Sequence, residues 1–114
     1  MYQSCIKFSN PDMILQADTA HTFFKRAKGL LGTSKPRPLL IYPGNQIHTI
    51  GMRYPIDIIY FDKQFQILCL EHDILPGKIC SPVRKAYYIL ELPSGFIEQN
   101  LITEKTLACI SSIR

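Results

Sequence analysis

Residues 56–61 constrain the fold of this 114-residue chain more than any other segment. The run reads Ile-Asp-Ile-Ile-Tyr-Phe, and apart from Asp57 it is apolar throughout. A strand that faces water on one side alternates apolar and polar residues, whereas a strand covered on both sides is apolar at nearly every position. We therefore predict that residues 56–61 form a central strand with structure packed against both of its faces.

Short segments that also favour β-strands precede and follow this strand in the sequence. The six Phe, the six Tyr and the many Ile favour a sheet, because aromatic and β-branched side chains pack well on a pleated surface. A turn at residues 62–64 leads into a strand at residues 65–71, which predicts a hairpin. Further strands are predicted at residues 6–8, 13–17, 39–42, 47–50, 86–92 and 106–111, with a single helical turn at residues 96–100.

Residues 20–31 change to helical spacing. The apolar residues that recur three or four positions apart are Ala20, Phe23, Phe24, Ala27, Leu30 and Leu31. Asp18 or Thr19 can cap the start of this helix, and a glycine can end it. We predict an α+β, mainly β domain over residues 1–114: a small antiparallel β-sandwich or partly closed barrel, with one helix from the N-terminal half of the chain packed against it.

The charge of the chain is unevenly distributed. The formal net charge is +4, yet residues 19–56 contain no acid and carry +6, while the rest of the chain carries −2. A segment of one sign attracts phosphates, carboxylates or nucleic acid. Alternatively, these cations are solvated side chains that fold beside acids from elsewhere in the chain.

The sequence also indicates a compartment. Residues 1–11 show no basic stretch followed by a long apolar run, and no apolar run is long enough to span a bilayer. The four cysteines are scattered without a C-x-x-C motif, although spacing alone leaves a disulfide open. We expect a cytoplasmic protein with free thiols and no membrane partner.

Three segments carry a resemblance. Residues 24–32 read Phe-Lys-Arg-Ala-Lys-Gly-Leu-Leu-Gly, residues 47–62 include Ile-His-Thr-Ile-Gly-Met-Arg-Tyr-Pro-Ile-Asp, and residues 88–95 read Tyr-Ile-Leu-Glu-Leu-Pro-Ser-Gly. In their order and spacing they resemble the DUF-192 family, from about residue 17 to the C-terminus. The resemblance implies a compact β-sandwich or barrel-like domain with one helix and no established activity. The family usually has a Gly-Asp turn before its last strand, where this chain has Thr103-Glu104-Lys105.

Four polar residues occupy places where apolar residues are expected. Asp57 interrupts the central strand, Glu91 stands between two leucines, Arg26 lies close to the apolar stripe of the predicted helix, and His48 precedes the segment that holds Met52. Burying an ionised carboxylate without a partner costs several kcal/mol, so such groups are paired, protonated or exposed to a cleft.

These residues support three hypotheses. The first is a binding module with a small polar or anionic ligand, or a segment of a partner protein, in a cleft lined by Arg26, His48, Met52, Arg53, Asp57 and Glu91. The second is a hydrolase or isomerase that uses Asp57 and Glu91 as acid and base. The third is a structural interaction domain in which Arg26 pairs with Asp57 or Glu91. The sequence leaves the catalytic residues and the oligomeric state open.

Other sites are not expected. Cys69 and His72 have an allowed ligand spacing, but Cys69 lies in an apolar strand and no second closely spaced pair follows, so we predict no metal and no cofactor. The aromatic residues of the basic segment are typical of helix core, and we expect no nucleic-acid partner. Cys80, in a loop near Lys78, is the best candidate for a reactive thiol.

Overall fold

The central strand is confirmed, because all six residues of β4 (Ile56–Phe61) are buried. The computed structural model describes residues 2–21, 30 and 33–113. Within them, β4 lies between β5 (Ile67–Ile74) and β6 (Tyr88–Pro93) and is antiparallel to both. A strand that is hydrogen-bonded at both edges and covered on both faces has little room for polar side chains, which explains its composition.

The remaining strands extend this sheet. β1 (Tyr2–Ser9) and β2 (Met13–Ala20) form an antiparallel hairpin around a turn at residues 10–12. β3 (Leu39–Ile41) is parallel to β2 and antiparallel to β6, and β7 (Leu107–Ile113) pairs with β1. The strands of the described residues form one seven-stranded sheet in the order β5-β4-β6-β3-β2-β1-β7.

The prediction of a mainly β fold is confirmed. The sheet curls into a half barrel, which agrees with a partly closed barrel. A sandwich is not confirmed, since all strands of the described part of the chain join one sheet. The helical turn predicted at residues 96–100 is confirmed as α1 (Phe96–Gln99).

The predicted start of the long helix is wrong. Ala20 is the last residue of β2, where it is fully buried and pairs with Ile41. A small apolar residue fits an inward strand position as well as a helical stripe, so the spacing alone did not separate the two. Of the remaining residues of the predicted helix, 22–29 and 31 lie outside the described residues, and Arg26 is among them.

Two other predicted strands have different bounds from those expected. Residues 47–50 contribute one isolated bridge, between His48 and Ile79. The strand predicted from residue 65 begins at Ile67, because Phe65 has a left-handed φ of 62° and belongs to the turn. The ring of Phe65 still packs in the core, stacked on Phe61 with ring centroids 4.0 Å apart.

Around β3, β4 and β6 both faces of the sheet are buried, and each face has its own core. Alternation along the strands places Asp57 with Ile59 and Phe61 on one side, which we name the Asp57 face. The Asp57 face also packs Ile6, Phe8, Leu40, Leu90, Leu92 and Ile97. The opposite side, named the Glu91 face, packs Leu39, Ile41, Ile58, Tyr60 and Ile89 beneath Leu30, Met52 and Cys80.

Candidate functional site

Asp57 is a fully buried carboxylate that holds two other elements in place. Its Oδ1 accepts a hydrogen bond from the backbone N–H of Asp73 at 2.9 Å, and its Oδ2 accepts one from the backbone N–H of Ile97, also at 2.9 Å. Ile97 lies in the first turn of α1, where backbone N–H groups have no partner within the helix. Asp57 therefore caps α1 from across the core and anchors the end of β5.

This capping role has a local cause. The residue before α1 is Gly95, which has a left-handed φ of 89° and no side chain to act as a cap. A helix start without a side-chain acceptor leaves its first amides unsatisfied unless another group reaches them. The carboxylate of Asp57 is that group, which explains a charge inside an otherwise apolar strand.

Glu91 is buried in a different way. It is 2% exposed, and its Oε1 has no hydrogen-bond partner among the residues that the structure describes. Burial raises the pKa of the Glu91 carboxyl from 4.5 to about 7, because the ionised form loses its hydration. The group therefore changes protonation state near neutral pH inside the protein.

The structure does not bring Asp57 and Glu91 together. In the pairing of β4 with β6, Asp57 lies opposite Leu92 and Ile58 lies opposite Glu91. Residues directly opposite each other share a face, and consecutive residues point to opposite faces. Asp57 and Glu91 are thus on different sides of the sheet, and the prediction that both line one cleft is wrong.

Tyr60 accompanies Glu91 on its face. Tyr60 lies opposite Ile89 while Glu91 lies opposite Ile58, so the two are diagonal neighbours on adjacent strands, about 7 Å apart at Cβ. Tyr60 is fully buried, and its hydroxyl also has no hydrogen-bond partner within the described residues. Burial raises the pKa of Tyr60 well above its usual value, and nearby acids, Glu71 first, raise it further. We call Glu91 and Tyr60 the buried polar pair.

Tyr60 was not among the site residues predicted from the sequence. In an apolar run a tyrosine is indistinguishable from core, since its ring packs like that of phenylalanine. The signal that could have found it is the hydroxyl: a buried Tyr O–H normally has a partner, so a tyrosine between Ile59 and Phe61 raises the question of where that partner lies.

Two further groups border the buried polar pair. Glu71 lies opposite Ile58 on β5, and Cys80 lies in the loop above the Glu91 face and is 8% exposed. Burial raises the pKa of the Cys80 thiol, and the negative charge of Glu71 raises it further. Because the thiolate is the reactive form, these surroundings argue against Cys80 as a reactive thiol.

The other predicted site residues are divided. Met52 is buried on the Glu91 face, in the same core cluster as Tyr60, while His48 and Arg53 are exposed.

Thr49 lies between His48 and Met52 in the sequence, is fully buried, and connects two loops by hydrogen bonds. Its hydroxyl donates to the carbonyl of Leu75 at 2.7 Å and accepts from the N–H of Lys78 at 2.9 Å. This Thr49 knot fixes the loop that seats Met52.

Within residues 2–21, 30 and 33–113, no three His, Cys, Asp or Glu side chains are placed to hold one metal ion. All four cysteines are free thiols. No helix in the described part of the chain has the length and apolar character needed to cross a bilayer.

Comparison with solved structures shows the same fold. The chain superposes on a protein of Sinorhizobium meliloti that was named as a candidate transcription regulator, with a TM-score of 0.84 and 16% identity over 96% of this chain and 94% of that one. A protein of unknown function from Novosphingobium aromaticivorans gives a TM-score of 0.80 and 15% identity, over 94% and 83% of the two chains. At such identities the likeness concerns the fold alone.

Comparison of sequences shows the family. The UPF0127 proteins of Pyrococcus horikoshii and Pyrococcus furiosus are each 34% identical over 86 residues, which cover 69% of this chain and 73% and 72% of theirs. The model of the DUF192 family, described as "Uncharacterized ACR, COG1430", matches residues 6–107. The chain therefore belongs to the DUF192 family, a family of uncharacterised proteins.

Proposed function

We propose that this protein is a small-ligand-binding domain whose site is the buried polar pair on the Glu91 face. One observation carries the proposal. Glu91 Oε1 and Tyr60 OH are both buried, and neither has a hydrogen-bond partner among the described residues. Nearly all buried polar atoms in folded proteins are hydrogen-bonded, and an unpaired one costs about 1–3 kcal/mol. Two such atoms on one face support a site that is completed by a ligand.

The chemistry of the pair defines the ligand class. A carboxyl group with a pKa near 7 can accept a hydrogen bond when ionised and donate one when protonated. The Tyr60 hydroxyl can do both. Met52, Ile58 and Ile89 supply apolar surface beside them. We infer a small, polar ligand that presents a hydroxyl, amide or amine group, rather than the anion considered from the sequence, because the charges that influence Tyr60 here are acidic.

The enzyme hypothesis has less support. It required Asp57 and Glu91 to face one substrate, and they lie on opposite sides of the sheet. Both oxygens of Asp57 also accept backbone hydrogen bonds, so the carboxylate is committed to holding α1 and β5.

The test is a thermal-shift screen with neutral sugars, amino acids and small amines on the wild type, Glu91→Gln and Tyr60→Phe. A ligand at a hundred times its Kd stabilises the folded state by about 2.7 kcal/mol. We expect a shift in the wild type that both variants lose or reduce. Glu104→Gln, which changes an exposed carboxylate, is the matched control and should keep the shift.

Two outcomes would contradict the proposal. One is a shift that persists unchanged in both variants, which would place the ligand elsewhere. The other is no shift in the wild type together with a large loss of stability in Glu91→Gln, which would make Glu91 a structural group of an interaction domain.

A further inference from the structure

The end of β4 opposite to Asp57 carries a second feature. At the end of β4 and the start of β6, two turns enclose an open depression of about 410 Å³. Small-molecule sites in proteins commonly have volumes of about 300–1,000 Å³. The residues that line it are Asp62, Lys63, Gln64, Lys85, Ala86 and Tyr87.

The first turn is held by its own carboxylate. Asp62 Oδ1 accepts hydrogen bonds from the backbone N–H groups of Gln64 at 2.9 Å and Gln66 at 2.8 Å, and the Asp62 carbonyl accepts one from Phe65 at 3.0 Å. These bonds fix the turn that presents Lys63. Counted formally, the carboxylate of Asp62 and the ammonium groups of Lys63 and Lys85 give the lining of the depression a net charge of +1.

Tyr87 forms a fixed wall of the depression. Its N–H donates to the carbonyl of Phe61 at 2.8 Å, and its own carbonyl accepts from Gly44 at 2.9 Å. Its ring is half-buried and packs edge-on against Tyr88, with centroids 4.8 Å apart. The ring also stacks against Tyr42, with centroids 6.4 Å apart, so it is held in place as part of an aromatic cluster that a further planar ring can extend.

Two lysines line the depression together with this ring. The Lys63 ammonium lies 5.7 Å from the centroid of Tyr87, within cation–π range. Lys85 has a left-handed φ of 69°, a conformation that is uncommon for a residue with a side chain and that the neighbouring structure must enforce. Both lysines are exposed, so both ammonium groups can meet a ligand.

From this arrangement we propose a second binding site, for a ligand that combines a planar ring with a phosphate, as in a nucleotide. The ring stacks on Tyr87, and the phosphate lies between Lys63 and Lys85. An aromatic surface alone would accept a sugar or any planar molecule, but two cations beside it favour an anionic group on the same ligand. The site shares no residue with the buried polar pair, so either proposal can fail without the other.

The experiment is an amide NMR titration with adenosine monophosphate, adenosine and inorganic phosphate as separate probes. Adenosine monophosphate should shift the signals of Lys63, Lys85 and Tyr87, and its affinity should fall as salt is added. Adenosine and phosphate should each bind more weakly, because each has only one of the two recognised groups. Equal binding of adenosine monophosphate and adenosine, or no shift at these three residues at millimolar concentration, would overturn the proposal.

Matched variants separate the two parts of the site. Lys63→Gln and Lys85→Gln should each weaken the binding of adenosine monophosphate about tenfold. Lys105→Gln, at an exposed lysine elsewhere, should leave this affinity unchanged. Tyr87→Phe keeps the ring and should bind like the wild type, whereas Tyr87→Leu should bind about tenfold more weakly. The same loss in Lys105→Gln, or full binding by Tyr87→Leu, would contradict the assignment.

Discussion

Asp57 and Glu91 are buried carboxylates on neighbouring strands, and their surroundings give them different roles. Asp57 accepts two backbone hydrogen bonds, so its charge is compensated in the folded state. Glu91 Oε1 has no such partner among the described residues, and burial raises the pKa of this carboxyl to about 7. Substituting each by its isosteric amide should therefore produce different results.

Replacement of Asp57 should destabilise the protein. In Asp57→Asn one side-chain oxygen can still accept a hydrogen bond, but the new NH₂ group faces the second backbone N–H, and donor meets donor. We expect the free energy of unfolding to fall by about 1–3 kcal/mol, the usual cost of an unsatisfied buried group. Denaturant unfolding at neutral pH measures this. The amide of Ile97 should also exchange faster, and unchanged stability would contradict the capping role.

Replacement of Glu91 should instead change how stability depends on pH. The folded-state pKa is above the unfolded value of 4.5, so the folded protein holds the proton more tightly. The raised pKa contributes on the order of 3 kcal/mol to the free energy of unfolding. This contribution is fully present below pH 4.5 and is lost as the pH rises to about 7. Glu91→Gln has no such titration. Its free energy of unfolding should therefore rise relative to that of the wild type between pH 4.5 and about 7, and the difference between the two proteins should stay constant at higher pH.

Unfolding curves of the wild type and Glu91→Gln at several pH values test this. Their difference isolates Glu91 from the other titrating groups. If the variant instead loses stability relative to the wild type as the pH rises, Glu91 forms an ion pair with a cation. The description of Glu91 as a carboxyl without a partner is then wrong.

At the scale of elements, loops as well as strands surround the buried polar pair. The Thr49 knot joins residues 47–53 to residues 75–80 through the side chain of one threonine and through backbone bonds, such as that from the Thr49 N–H to the Lys78 carbonyl at 2.8 Å. The loops are thereby held over the Glu91 face, with Met52 inward and His48 outward. An irregular segment thus behaves as a fixed element.

The hydroxyl of Thr49 can be tested directly. Thr49→Val keeps the shape of the side chain but leaves the Leu75 carbonyl and the Lys78 N–H without their partner, so we expect a loss of about 2 kcal/mol. Thr49→Ser keeps the hydroxyl and should lose about 1 kcal/mol or less, for one buried methyl group. Denaturant unfolding gives both values, and amide exchange of Lys78 should accelerate only in Thr49→Val. Equal losses in the two variants would show that packing, not hydrogen bonding, holds the loops.

Sequence patterns predicted the elements whose signal is local. The two-sided run of β4, the turn at residues 62–64 and the short α1 depend on neighbouring residues, and all three were confirmed. The strand position of Ala20 depends on its parallel partner Ile41, which is distant in the sequence. Periodicity within one segment carries no information about such a partner, and the helix was therefore predicted to start too early.

The site was predictable only in part, for a similar reason. Burial of Asp57 and Glu91 was anticipated from their apolar neighbours. Which face each occupies follows from the register of β4 against β6, where a shift of one residue would exchange the faces. The link between Asp57 and Ile97 spans forty positions. Long-range register and capping are properties of the assembled sheet, and the sequence does not display them.

At the scale of the whole molecule, β3 joins two groups of strands. On one side lie β2, β1 and β7, and on the other β6, β4 and β5. β3 has only three residues, yet it is buried throughout and pairs along its full length with both neighbours. The backbone continuity of the described sheet passes through these three residues, so damage to β3 should weaken both groups together.

Leu40→Ala tests this cooperativity. Leu40 is fully buried in the core of the Asp57 face, and truncating a buried leucine costs about 2–5 kcal/mol, whereas Ile14→Ala, at a side chain that is 67% exposed, should cost no more than about 0.5 kcal/mol. Amide exchange read at Ile6 in β1 and at Ile59 in β4 reports on the two groups separately. We expect Leu40→Ala to lower protection at both residues by the same amount, because the half barrel unfolds as one unit. A loss confined to one of them would show instead that the two groups of strands are independently stable and that β3 only connects them.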